Sequence, residues 1–235
     1  TIQAQDSINI QTANAQYENK NYFAAIDMYQ SIIHTQGPSA EVYYNLGNAY
    51  YKTNQIGLAI VNYERCLALS PRDADAVFNL QLANLKLKDK LEPVNRLFII
   101  RLWHGWIQLL QVNQWLIISL ICIWLALAGF AVFRFSKKIF IRKTGFYLFA
   151  AGMVFFIISL ITTLGRDAYN RNYVFGIITS PSLIIKSEPS ENSTNLMMLH
   201  EGLKLRILDK QNNWCKITLP DGNQGWALIS GVTQI

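Results

Sequence analysis

The chain has 235 residues, of which 51% are hydrophobic and only 15% charged, where an ordinary soluble domain carries about 25% charged residues. That much apolar surface excludes a disordered chain, and three cysteines exclude a disulfide-dense small scaffold. The net charge of +6 divides into −2 over residues 1–93, +8 over 94–172 and 0 over 173–235. The positive excess therefore sits in the most apolar third, which is the pattern of a membrane protein and argues against a nucleic-acid partner.

In chain order, Thr1-Ile2-Gln3-Ala4-Gln5 reads like the tail of a signal peptide cleaved near Ala4 or Gln5, as an exported N-terminus would carry. Residues 6–93 then show an internal repeat. Between Ala40 and Asp73 stand Leu46, Gly47, Tyr50, Ala59, Tyr63 and Pro71. Moved back by 34 positions, Gly47 falls on Ala13, Asn48 on Asn14, Tyr51 on Tyr17, Ala59 on Ala25 and Tyr63 on Tyr29. Moved forward, Asn45-Leu46 falls on Asn79-Leu80. The third unit then departs from the pattern: Val77 to Lys90 predicts one helix, ended by Glu92-Pro93.

These residues at this spacing resemble the tetratricopeptide repeat, a helix–turn–helix unit. The resemblance implies an all-α solenoid over 1–93, with two repeats and a capping helix; Cys66 stands where the family usually has Ala. It implies packing roles for Ala25 and Ala59, small where helices cross, and for Tyr29 and Tyr63, which fill the neighbouring gap. It also puts Asn14, Tyr17, Tyr44, Asn48, Tyr51 and Lys52 on the concave face formed by the first helix of each unit. Two readings of that aromatic, amide-rich face stand: it receives an extended peptide or a partner helix, or its residues merely solvate the groove. Asn14 and Asn45 match the asparagines with which some family members clamp a C-terminal carboxylate. Ile10, Asp75 and Asn79 stand at the basic positions of that clamp and argue against it.

Residues 94–113 are apolar but punctuated by Arg96, Arg101 and His104, with Trp103 and Trp106. They predict an amphipathic helix at a membrane surface, tryptophans at headgroup level. Trp115 to Phe133 is an uncharged run of 19 residues and Gly145 to Gly165 one of 21, each about 30 Å long as a helix, roughly one hydrocarbon core. Transmembrane helices are expected over 114–135 and 145–165. The connector 136–144 and its edge carry Arg134, Lys137, Lys138, Arg142 and Lys143 with no acid, which holds such a loop in the cytoplasm and sends both chain ends to the other side. An anionic-lipid or partner site in the basic loop is compatible with this topology. The spans contain no Asp, Glu, Lys, Arg or His, so a transporter or pump is disfavoured. Small residues at Ala126, Ala128, Gly129 and Ala131 and at Ala150, Ala151 and Gly152 are either a helix–helix contact or ordinary membrane composition.

Residues 173–235 switch to strand signals. Leu203 to Ile207 and Cys215 to Leu219 alternate, and turns are marked by Glu188-Pro189-Ser190, Gln211-Asn212-Asn213 and Pro220-Asp221-Gly222. About five short strands are expected, in a small barrel. Leu183 to Pro189, His200-Glu201-Gly202, Asn213 to Ile217, Asp221-Gly222 and Gly225-Trp226 resemble the motifs of bacterial SH3-like domains; Ile184 and Ile185 depart from the usual opening. Relatives of that family bind peptidoglycan peptides or protein partners, which the resemblance extends to a surface at Trp214 and Trp226. The other reading has both tryptophans brace the barrel. His200 and Glu201 read as surface.

Cys66, Cys122 and Cys215 fall in three different segments and read as small buried residues. No catalytic, phosphate-loop, metal or cofactor motif occurs, so a non-enzymatic protein without cofactor is expected. The fold class is a multidomain membrane protein: an all-α tetratricopeptide solenoid, a two-helix transmembrane hairpin and an all-β SH3-like barrel. Together with Lys88 to Pro93 and the aromatic juxtamembrane stretch, this order resembles the BatE-like proteins of the Bacteroides aerotolerance (Bat) group. That resemblance implies membership of a membrane assembly with von Willebrand A-domain membrane proteins and, indirectly, a MoxR-type ATPase; two interaction modules facing one side, with no catalytic constellation, make an inner-membrane scaffold the expected role. The basic loop's charge places both terminal domains in the periplasm; peptidoglycan is the alternative partner.

Overall fold

The computed structural model describes residues 9–92, 94 and 98–235. Thr1 to Gln5, Pro93 and Arg96, on which the export, helix-stop and flanking-charge expectations rest, lie outside the described residues. The chain forms two compact units, one from the segment up to Val94 together with Val174–Ile235, the other from Asn95–Tyr173. The repeats and the barrel, expected as separate modules, are thus one unit.

In the first unit α1 (Ile10–Glu18), α2 (Tyr22–Gln36), α3 (Ala40–Lys52), α4 (Ile56–Leu69) and α5 (Ala74–Leu85) follow one another. Side chains that accept from otherwise free N–H groups start three of them. Asn9 Oδ1 takes Thr12 N–H at 2.8 Å, Ser39 Oγ takes Val42 N–H at 3.2 Å, and Asp73 Oδ1 takes Ala76 N–H at 2.9 Å. The turn inside each helix pair bends through a left-handed residue, Lys20 (φ 62°) and then Asn54 (φ 59°) one repeat later. Ala13, Ala25, Ala49, Ala59 and Ala83 are completely buried, because a methyl group is what fits where two helix backbones approach. Gly47 goes further: a Cβ there would lie 2.7 Å from the Tyr63 ring, which occupies that space.

Helix α5 ends at Leu85 and does not run on to Lys90. The residues beyond it are committed to the barrel. Leu87 packs on Gly202, Leu91 joins the barrel core, and Val94 N–H donates to Pro220 O at 2.9 Å.

The barrel has seven strands among the described residues, not five. They are β1 (Val174–Ile178), β2 (Ser182–Lys186), β3 (Asn195–His200), β4 (Lys204–Gln211), β5 (Trp214–Thr218), β6 (Gln224–Leu228) and β7 (Val232–Gln234). The sheet order is β3-β2-β6-β5-β4-β1-β7, with antiparallel pairing throughout. Strand β1 has residues 176–178 buried in succession and so shows no alternation, and β7 is only three residues long. Leu183, Ile185, Leu205, Ile207, Cys215, Ile217 and Ala227 fill the interior on the alternating positions. The β4–β5 turn runs through Asn212 at φ 52°, and the β5–β6 turn through Gly222 at φ 91°.

The second unit contains α6 (Phe98–Gln108), α7 (Val112–Phe135) and α8 (Ile139–Asn172). Helices α7 and α8 are an antiparallel hairpin. The expected loop 136–144 shrinks to Ser136–Lys138, because Ile139 to Thr144 contain no helix breaker and join α8. Both helices are long and apolar enough to cross a membrane, and only 17% and 22% of their most apolar windows are buried. Helix α6 lies against α8, with Ile107 buried, Trp103 over Gly165, and Trp106 Nε1–H donating to Thr162 Oγ1 at 3.2 Å.

Candidate functional site

The first helices of the repeats, α1, α3 and α5, are tied by a ladder that repeats with the sequence. Tyr29 Oη–H donates to Asn14 Oδ1 at 2.6 Å, and one repeat later Tyr63 Oη–H donates to Asn48 Oδ1 at 2.8 Å. Asn45 Nδ2 donates to Asn14 Oδ1 at 3.1 Å, and Asn79 Nδ2 to Asn48 Oδ1 at 2.8 Å. The carbonyl oxygens of Asn14 and Asn48 therefore hold the superhelix together. Burial pushes the Tyr29 hydroxyl up to about 12, with Tyr17 and Glu18 adding to the shift, and burial raises Tyr63 as well. Each ring is a locked neutral donor. Of the other predicted face residues, Tyr17, Tyr44 and Tyr51 are half-buried and Lys52 is exposed. Tyr44 accepts from Asn79 Nδ2 at 3.2 Å, and Lys86 Nζ sits 3.9 Å from the Tyr51 ring centroid. The accessible chemistry of the face is thus aromatic and cationic more than amide.

The barrel joins the repeats largely through the β3–β4 turn, the His200-Glu201-Gly202 segment. Helix α4 has no side-chain cap of its own, and Glu201 supplies one: its Oε2 accepts from Gly57 N–H at 3.0 Å. A carboxylate at a helix N-terminus meets both the free N–H groups and the positive end of the helix dipole. Gly57 makes the approach possible, since a Cβ there would lie 2.8 Å from Ile178 O. Lys204 Nζ donates to Glu64 Oε1 at 2.7 Å, Arg65 donates to Gln234 O at 3.3 Å, and Ile177 is fully buried within the repeat core. His200 Nδ1 lies 3.1 Å from Asp89 Oδ1 and its Nε2 lies 2.9 Å from Lys88 Nζ. The reading of His200 and Glu201 as surface residues is corrected: both are joints between the two folds. Sequence spacing could not find them, because their partners lie more than a hundred residues away. Beside them is a cavity of about 410 Å³ lined by Asn54, Lys86, Lys88, Pro181, His200 and Glu201 among others.

On the barrel, Trp214 faces Leu228 across the β5–β6 pair and Trp226 faces Lys216. Both indoles lie on the outer face, since Cys215, Ile217, Gly225 and Ala227 take the inner one. Trp214 is 8% exposed, whereas Trp226 is half-buried. Trp226 stands between Lys216 on β5 and Lys186 on β2, and two positions along β2 exposed Ile184 faces exposed Met198, which adds an apolar strip diagonal to the indole.

Cys66 and Cys215 are buried and Cys122 is half-buried, a departure from the expectation of three buried thiols. Burial, with the Asp73 carboxylate adding to the shift, pushes the Cys66 thiol up to about 11, and burial raises Cys215 too, so both are poor nucleophiles at neutral pH. Among the described residues no three His, Cys, Asp or Glu side chains converge as metal ligands would.

In the second unit the small residues are a helix contact. A Cβ on Gly129 would lie 2.6 Å from Phe149 N, and one on Gly152 would lie 2.9 Å from the Ala126 methyl. Gly145, which the sequence reading did not place in the small-residue clusters, is as close: its Cβ would lie 2.6 Å from Phe133 N. Arg134 lies in the last turn of α7, Lys137 and Lys138 form the turn, and Arg142 and Lys143 lie in the first turns of α8, all exposed.

The comparisons with known proteins agree with this division. The tetratricopeptide repeat model matches residues 40–73, and the bacterial SH3 domain model matches residues 181–232. No curated protein matches the chain significantly. Among solved structures, the crystal structure of an NlpC/P60 family protein from Bacillus cereus ATCC 10987 is 24% identical, with a TM-score of 0.24. The similarity covers 29% of this chain and 22% of that one. The chain therefore carries a tetratricopeptide repeat and a bacterial SH3 domain on either side of two long apolar helices.

Proposed function

We propose that the protein is a non-enzymatic scaffold of the bacterial inner membrane, holding protein partners in a Bat-type assembly. Helices α7 and α8 cross the membrane as a hairpin, the basic turn lies in the cytoplasm, and the repeat–barrel unit stands in the periplasm. Its partners are von Willebrand A-domain membrane proteins and, through them, a MoxR-type ATPase. The observation that carries the scaffold reading is the joint at Glu201 and Gly57. The barrel contacts come from α4, the second helix of its pair, and from the segment after α5, so the Tyr44–Tyr51 face of α3 and the Trp226 strip belong to one unit while neither forms that joint.

The full chain, purified in mild detergent from its own cells, is expected to bring down von Willebrand A-domain membrane proteins identified by mass spectrometry. Tyr44→Ala with Tyr51→Ala is expected to lower that recovery about tenfold or more, as loss of aromatic anchors does. Recovery of the wild-type chain as a free monomer overturns the scaffold reading.

The half-exposed Trp226 beside exposed Ile184 and Met198 favours a second reading, a sensor or tether that grips peptidoglycan. Full-length protein is then retained on purified sacculi and Trp226→Ala releases it; retention that ignores this substitution sinks the idea.

A further inference from the structure

Where α7 meets α8 at the basic turn, the backbones touch. The Gly129 and Gly145 contacts leave no room for a Cβ on either helix. The large side chains at the same level must therefore turn outward, and they enclose a cavity of about 290 Å³ lined by Phe133, Ile139, Arg142, Lys143, Phe146 and Tyr147. Its walls are ordered by ring contacts, with Phe133 and Phe146 5.7 Å apart and the Arg142 guanidinium 5.2 Å from the Phe133 ring. Ile139 and Tyr147 are 74% and 69% exposed, so the cavity opens sideways, away from the hairpin.

Two features decide what such a cavity takes. Its charged groups are both cations, Arg142 and Lys143, and Arg134, Lys137 and Lys138 stand within ten positions of them. No Asp or Glu occurs between Glu92 and Asp167 to balance these charges. Its remaining walls are aromatic and aliphatic, and it lies at the end of two helices of membrane-spanning length. An anion that carries hydrocarbon fits both features. A free anion would leave the apolar walls wet, and a zwitterionic lipid would bring a second cation to a positive site.

We propose that this cavity is a binding site for an anionic phospholipid. The phosphodiester is held by Arg142 and Lys143, and the upper acyl chains lie on Phe146, Tyr147 and Ile139. The proposal rests on the membrane-spanning reading of α7 and α8. Arginine and lysine between helices on the cytoplasmic side recognise lipid phosphate by charge and by the guanidinium fork. A volume near 290 Å³ suits a headgroup and not a whole lipid.

The test uses the full chain in mixed micelles of phosphatidylglycerol and phosphatidylcholine, with retained lipid read by native mass spectrometry. Preferential retention of phosphatidylglycerol is expected, reduced about fivefold by Arg142→Gln and again by Lys143→Gln. The same neutralisation at Lys137 and Lys138, which do not line the cavity, should change retention less. Equal loss at Lys137 and Lys138 overturns the site in favour of a diffuse surface charge. Equal displacement by inorganic phosphate, at matched ionic strength, overturns the lipid in favour of a free anion.

Flotation with phosphatidylcholine vesicles separates the two levels. A chain that floats but shows no phosphatidylglycerol preference refutes the lipid site alone. A chain that does not float refutes the membrane reading beneath it.

Discussion

Tyr29 and Tyr63 show how one residue type serves a repeat twice. Each ring fills the gap beside a small residue and donates its hydroxyl to the asparagine fifteen positions earlier. The ring was readable from the 34-residue period. The hydrogen bond was not, because period alone does not say that Asn14 and Asn48 face inward. The burial of the Tyr29 hydroxyl has a pH consequence. An acid whose folded pKa is raised stabilises the fold below its unfolded pKa, and that stability is lost as pH climbs through the folded value. For Tyr29 the window runs from about 10 to about 12. Helical signal from the full chain in detergent should fall steeply in that window. Tyr29→Phe should be less stable at neutral pH yet flatter across it; an unchanged alkaline profile in that variant would refute the role.

Among elements, α4 is the informative one. Its start has no side-chain cap in its own sequence, and the cap arrives from the barrel turn as Glu201. Losing it should cost about 1 kcal/mol, measured as a shift in the urea midpoint of Glu201→Ala in detergent. Gly57→Ala gives a sharper test. Helix propensity alone predicts a gain of about 1 kcal/mol, whereas a Cβ 2.8 Å from Ile178 O predicts a loss. A stabilised Gly57→Ala protein would mean that the barrel does not dock there. The same contrast explains the misread ends. Val77 to Lys90 has helical composition throughout, yet Leu87, Asp89 and Leu91 are more strongly engaged by the barrel than by another helical turn. Ile139 to Thr144 looked like loop because it is charged, and charge does not break a helix.

At the scale of the whole molecule, charge sets the proposed topology. Five cations cluster at the α7–α8 turn, and the connector bears no acid. A cysteine introduced at Ser136 should be shielded from impermeant thiol reagents in intact spheroplasts and react after lysis. Buried Cys66 and Cys215 add little background. Labelling in intact spheroplasts would invert the topology and move the repeat–barrel unit to the cytoplasm.

The parts are legible in the amino-acid order alone: the 34-residue repeat, two long apolar helices, a basic connector, and strands with tryptophans at their motif positions. These follow from periodicity and composition, which act over a few residues to a few turns. How the parts combine follows from the three-dimensional packing. It joined repeats and barrel through Glu201, His200 and Lys204, and it put Trp226 at the surface while burying Trp214. It also drew Phe133 and Arg142 around a cavity beside Gly145. The reason is range: a cap, an ion pair or a cavity wall is defined by a partner distant in sequence, and a residue's own neighbours carry no trace of it.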